Sequence, residues 1–175
     1  MSLNILKNSI RKGKVTISFK SSQFSGLSDI ERIGEDLKKL IHAKFKRSLH
    51  IREVDTGSCG ACESEIIACS NPIYDIQRFG IDFVASPRHA DALLVSGPVS
   101  KNMELALKKT YEAMPEPKFV ISIGDCAKDG GLFKDSYYTC AGVKNILPVV
   151  LHIPGCPPSP SQIILSLFAF LKSEN

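Results

Sequence analysis

The chain has 175 residues, 43% of them hydrophobic and 23% charged, with a formal net charge of +4. That suits one domain with enough apolar residues to bury a core. No apolar run approaches the roughly 18 residues that span a bilayer, and the first twenty residues lack a signal peptide's apolar stretch, so a cytosolic chain without a span of its own is expected. The six cysteines then point away from structural disulfides, because that compartment keeps thiols reduced, and toward metal or redox chemistry.

The charge is uneven. Residues 1–50 hold eleven Lys and Arg against four Asp and Glu, and residues 51–175 hold eleven against fourteen. A basic leader on a mildly acidic domain suits contact with an acidic partner or anionic lipid head groups, or a solvated helix. Only Phe19 and Phe45 lie among the basic residues, so a nucleic-acid groove is not expected.

Residues 1–48 read as a basic arm. Val15, Ile17 and Phe19 alternate with polar residues as in a short edge strand. Ser28 and Glu31 fit a capping box. Ile30, Ile33, Leu37, Leu40 and Ile41 follow at helical spacing, so Asp29 to about Phe45 reads as an amphipathic helix whose stripe buries against the main domain or a partner.

Residues 49–175 read as the main domain. Leu49–Val54 is a strand, Ala61 to about Ser70 a helix stopped by Asn71-Pro72, and Ile73–Phe79 a second short helix ended by Gly80. Ile81–Ala85 and Ala92–Ser96 are apolar runs of strand length. Ser100 to Met114 is helical, Phe119–Ile123 and Val149–Ile153 are strands, and about Ser161–Lys172 is a final helix. Short apolar runs separated by helices predict an open parallel sheet covered on both faces, an α/β fold. Residues 124–146 form a long loop of the kind that carries function.

The cysteines fall where such a sheet binds ligands. Cys59, Cys126 and Cys156 each lie just past the end of a predicted strand, and parallel strands all end at one edge. Cys62, three residues after Cys59, joins them. Four thiolates suit a zinc ion or an iron–sulfur cluster. Structural zinc favours two local pairs that stitch a small fold. Here one pair and two distant single ligands sit over a domain with its own core, which favours a four-iron cluster over zinc or unligated thiols. Cys69 and Cys140 have no such position and read as small buried hydrophobes. Asp55 and Asp125 read as residues that organise their own turns.

Three separated motifs carry a resemblance: Cys59-Gly60-Ala61-Cys62-Glu63-Ser64-Glu65, Gly124-Asp125-Cys126-Ala127 with Gly130-Gly131, and Pro154-Gly155-Cys156-Pro157-Pro158. Ser86-Pro87-Arg88-His89-Ala90-Asp91 and Ser96-Gly97-Pro98-Val99 add to it. From about Leu49 to Leu171 the chain resembles the small electron-transfer subunit of membrane-bound [NiFe] hydrogenases, in a superfamily shared with the 20-kDa subunit of respiratory complex I. The resemblance implies a flavodoxin-like domain holding one [4Fe–4S] cluster, with Cys59, Cys62, Cys126 and Cys156 matching its ligands. It implies single-electron relay between a ferredoxin-like iron–sulfur subunit and a large subunit that carries nickel and iron or lines a quinone pocket. Membrane subunits would hold the complex at the cytoplasmic face of the cell membrane.

Complex I members resemble one another in having two adjacent cysteines at the first motif. The two-residue gap between Cys59 and Cys62 resembles hydrogenases instead, and His89 resembles the formate-hydrogenlyase and energy-converting group. A relative that reduces a quinone or a sulfur compound without nickel is the alternative. Glu65 matches an acidic position close to the cluster, where it would tune the potential or carry protons, although the helix dipole alone would favour a carboxylate there. Arg88 and His89 are expected near the cluster or at a subunit interface. No nucleophile–base pair or phosphate-binding loop is present, so no catalytic centre is expected in this chain alone.

Overall fold

Five short runs rich in Val, Ile and Leu become the strands, and each is followed by a turn or helix that carries the chain back across the sheet. The structure is a computed structural model that describes residues 27–173, so the strand expected at Val15–Phe19 lies outside the described residues. The strands are β1 (Leu49–Asp55), β2 (Ile81–Phe83), β3 (Ala92–Ser96), β4 (Phe119–Ile123) and β5 (Val149–Ile153). They form one sheet in the order β2-β1-β3-β4-β5, and every pairing is parallel. The helices are α1 (Leu27–Phe45), α2 (Ala61–Ala68), α3 (Lys101–Glu112), α4 (Asp125–Asp129) and α5 (Pro160–Ser173).

Alternation along the central strands sorts the core into two layers. Ala92 and Leu94 of β3, with Ile121 and Ile123 of β4, face Leu37 and Ile41 of α1, Ile66 of α2, and Ile163, Ile164, Leu167 and Leu171 of α5. Leu93 and Val95, with Val120, face Leu107 of α3 and Ala127 of α4 on the other side. This is the expected α/β sheet with helices on both faces.

The stripe of α1 is therefore spent inside this chain. Leu37 and Ile41 are buried in the same core as α5, and Gly34 leaves room for the Phe79 ring to lie against the helix. The helix begins at Leu27, one residue before the expected Ser28 cap. The two carboxylate oxygens of Glu31 accept a fork from Arg78 at 2.8 and 2.7 Å.

Two other expectations shorten. Only Ile76–Phe79 of the expected second helix is helical, as a 3₁₀ turn closed by Gly80 at φ 84°. β2 stops at Phe83, after which the Val84 N–H makes a last bond to the Ile51 carbonyl. The upper half of β1 thus has no strand neighbour on that side. The segment 124–146 is not one loop, since it contains α4 and 3₁₀ turns at Gly131–Phe133 and Val143–Asn145.

Candidate metal centre

Because all five strands are parallel, the loops after β1, β3, β4 and β5 gather at one edge. Each is fastened there by a polar device. Asp55 Oδ1 accepts from the Gly57 and Ser58 N–H groups, both at 2.8 Å, which folds the loop carrying Cys59. This is the turn-organising role expected of Asp55. Thr56, fully buried, latches the β1 loop to the β3 loop. Its hydroxyl donates to the Ser96 carbonyl and accepts from the Val99 N–H at 3.2 Å. Asp125 was expected to organise its own turn, but its side chain crosses to the next loop. The Gly155 N–H donates to Asp125 Oδ1 at 3.0 Å, and the Asp125 N–H donates to the Gly155 carbonyl at 2.9 Å.

These devices bring the four expected cysteines together. Cys59 and Cys156 are exposed, and Cys62 and Cys126 are half-buried. Burial, followed by the Glu63 carboxylate and then by Cys126, Cys156 and Cys59, pushes the Cys62 thiol up to about 12. Burial, then Cys156, also raises Cys126, while a hydrogen bond from the Leu132 N–H opposes the rise. Cys59, Cys126 and Cys156 thus all lie close enough to act on the Cys62 thiol. Among the described residues, no three His, Cys, Asp or Glu side chains close to the spacing of a single-ion shell.

Glycines let these sulfurs lie against the backbone. A Cβ on Gly124 would stand 2.6 Å from Cys62 Sγ, and one on Gly131 would stand 3.0 Å from Cys126 Sγ. Gly124 has φ 84° and ψ 156°, a conformation held essentially by glycine alone.

The remaining expected residues divide. Glu65 is half-buried and lines an open pocket of about 310 Å³ with Pro157, Ser159 and Gln162, so it stands beside the Cys156 loop. Arg88 and His89 are exposed and do not join the cysteines. Their 3₁₀ turn lies near the start of β1, where the His89 carbonyl is 3.1 Å from His50 Nδ1. Asp91 anchors that turn. It accepts the His50 N–H at 3.0 Å and a two-point fork from Arg47 at 2.9 and 2.7 Å. Cys69 is buried in the core as expected. Cys140 is only half-buried, and its thiol donates to Glu104 at 3.6 Å.

Two features escaped sequence reasoning. The Thr56 latch had no signal beyond a polar residue at a strand end. Glu63 accepts from the Ser58 hydroxyl at 2.7 Å through Oε2, while its buried Oε1 has no partner. Its signal was a second carboxylate in the first cysteine motif.

The fold is an α/β domain with four thiols at the carboxyl edge of a parallel sheet. Residues 59–170 match the family model described as NADH ubiquinone oxidoreductase, 20 Kd subunit, and the chain belongs to that family of oxidoreductase subunits. It is 44% identical over 128 residues to formate hydrogenlyase subunit 7 of Escherichia coli, covering 73% of this chain and 50% of that protein. It is 48% identical over 118 residues to the probable membrane-bound hydrogenase subunit mbhJ of Pyrococcus furiosus, covering 67% and 71%. Among solved structures it resembles a chain of the membrane-bound sulfane sulfur reductase, an archaeal respiratory membrane complex. There the TM-score is 0.65 at 30% identity, covering 77% of this chain and 74% of that one. The expected family and fold are thereby met. Among the described residues, no helix is long and apolar enough to cross a membrane.

Proposed function

We propose that this chain holds one [4Fe–4S] cluster through Cys59, Cys62, Cys126 and Cys156, and that it is the electron-relay subunit of a membrane-bound [NiFe] hydrogenase complex. The observation that carries the reading is the gathering of four thiols from three loops, with Cys59, Cys126 and Cys156 close enough to act on the Cys62 thiol, at the edge where an open parallel sheet binds ligands. The donors fit the group. They are all soft thiols, the donor type that binds iron–sulfur clusters as thiolates. The bound cluster would accept and return one electron at a time.

The chain's own residues supply the setting. The Leu132 N–H lies where it favours a negatively charged Cys126 sulfur, the kind of influence that tunes cluster potential. Gly124 and Gly131 let the backbone lie close against the Cys62 and Cys126 sulfurs. Glu63 and Glu65 place carboxylates near Cys62 and the Cys156 loop, where they add negative charge. Arg88 and His89, exposed near the start of β1, are offered to a partner subunit.

The partners are a large hydrogenase-type subunit, a ferredoxin-like iron–sulfur subunit and membrane subunits. This chain sits peripherally at the cytoplasmic face of the membrane, held there by those subunits. The names of the relatives support a membrane-bound assembly, and the two-residue spacing of Cys59 and Cys62 supports the hydrogenase branch. The likeness to the sulfane sulfur reductase supports a second reading, the equivalent subunit of a sulfur- or quinone-reducing complex without nickel. Anaerobic capture of the complex through a tag on this chain separates them. Nickel together with hydrogen-dependent dye reduction is expected, and iron without nickel or hydrogen activity would move the chain to the second reading.

A further inference from the structure

We infer that Asp125 is a positioning residue that clasps the loop of Cys126 to the loop of Cys156, fixing the spacing at which both sulfurs reach one cluster. The inference rests on the cluster assignment proposed above. Its basis is a two-point contact between the immediate neighbours of two cysteines 30 residues apart. Asp125 donates its N–H to the Gly155 carbonyl at 2.9 Å, and its Oδ1 accepts the Gly155 N–H at 3.0 Å.

The place of this contact in the sheet explains why a side chain is needed. The ladder between β4 and β5 runs as far as Ile123 and Ile153, and the Gly124 N–H then bonds the Ile153 carbonyl at 2.9 Å. Beyond that rung the chain turns into α4, and the Gly124 carbonyl is taken by the Ala127 N–H at 3.1 Å. The next N–H on the β5 side, that of Gly155, therefore loses the carbonyl that a continuing strand would offer. The Asp125 carboxylate takes its place. Without it, the Gly155 N–H next to Cys156 would lose its acceptor, and only the Asp125 N–H bond to the Gly155 carbonyl would still join the two loops.

The carboxylate brings a second effect. It sets one fixed negative charge beside Cys126, and net charge near a cluster disfavours the added electron of its reduced form. Geometry and charge are separable by substitution. Asp125→Asn keeps an acceptor oxygen in the same place and removes the charge. Asp125→Ala removes both. Asn71→Ala is the control of similar structural cost, because Asn71 Oδ1 accepts the Ile73 and Tyr74 N–H groups at 2.9 and 3.0 Å in a turn after α2 that includes none of the four proposed ligands.

The test uses the full chain, reconstituted anaerobically with iron and sulfide. It reads iron retained against a chelator, the visible and EPR signatures, the midpoint potential, and amide exchange at Gly155 in the cluster-free chain. Asp125→Ala is expected to retain iron about tenfold less well or worse, since a hydrogen bond to a charged group is lost. Asp125→Asn is expected to keep the cluster at a higher potential, and Asn71→Ala to behave as wild type. Gly155 exchange is expected to be protected in wild type and Asp125→Asn. Retention by Asp125→Ala equal to wild type would overturn the inference, as would cluster loss in Asp125→Asn as complete as in Asp125→Ala. If Asp125→Ala does not fold, a Gly155 amide that exchanges freely in wild type would overturn it alone. A wild-type chain that takes up no cluster would defeat the cluster assignment and the inference with it. A loaded wild type beside an indifferent Asp125→Ala would defeat the inference only.

Discussion

Gly124→Ala isolates the closest approach in the site. Two costs add. The conformation at φ 84°, ψ 156° is held essentially by glycine alone, which costs a residue with a Cβ about 1–3 kcal/mol. The new Cβ would also stand 2.6 Å from Cys62 Sγ and 3.5 Å from the Gly155 carbonyl oxygen. An ordinary contact is about 3.5–4.0 Å, so the sulfur must retreat by about 1 Å, and overpacking of this kind costs about 1–3 kcal/mol more. The sum is a large part of a typical domain's 5–15 kcal/mol, roughly, yet leaves a folded chain. Gly60→Ala is the matched comparison. Gly60 has φ 85° and ψ −7°, with nothing within 4 Å of a Cβ, so it carries the left-handed penalty of about 1–2 kcal/mol without the collision. Urea unfolding gives the stability loss of each variant, and iron content after anaerobic reconstitution gives the effect on the site. Gly124→Ala should lose more stability than Gly60→Ala and should hold little iron, because Cys62 Sγ has been turned from the other three sulfurs. Equal stability losses with equal iron would refute the reasoning.

Thr56→Val keeps the shape of a fully buried side chain but removes the hydroxyl that bridges the Ser96 carbonyl and the Val99 N–H. A loss of about 1–3 kcal/mol with unchanged m-value is expected in denaturant unfolding, and an unchanged midpoint would show that the latch does nothing. His152 gives a pH prediction. Burial, then Lys128, lowers its pKa in the fold, so the folded state favours neutral imidazole. The stabilisation is present above the unfolded value of about 6.5 and is lost as pH falls toward the lower folded value. Denaturant midpoints at pH 8 and pH 5.5 should therefore fall less in His152→Gln than in wild type, and identical falls would contradict the assignment.

The strands were legible because a buried parallel strand needs an unbroken apolar run, and Ala92–Ser96, Phe119–Ile123 and Val149–Ile153 have the same bounds in sequence and structure. β2 was over-read because Val84 and Ala85 are as apolar as Ile81–Phe83, and only the end of its pairing to β1 stops it. α4 was missed because five residues are too few for a helical period to show. The gathering of the four cysteines followed from their places after strand ends, since parallel topology does the rest. The Asp125 contact was not legible, because a carboxylate bonding its own turn and one bonding a loop 30 residues away look alike in sequence. Nor was the position of Arg88 and His89. Their loop lies between two strands, and only the Asp91 anchor to Arg47 and His50 fixes where along β1 it lies.

The central claim is that Cys59, Cys62, Cys126 and Cys156 hold one four-iron cluster. The most direct measurement is iron and acid-labile sulfide per chain, with the EPR spectrum of the dithionite-reduced protein, on anaerobically reconstituted wild type and the six single Cys→Ala variants. The account predicts about four iron and four sulfide per wild-type chain, loss of the signal at those four positions, and an unaltered signal in Cys69→Ala and Cys140→Ala. A colourless wild-type chain holding zinc, or a signal erased by Cys69→Ala or Cys140→Ala, would contradict it.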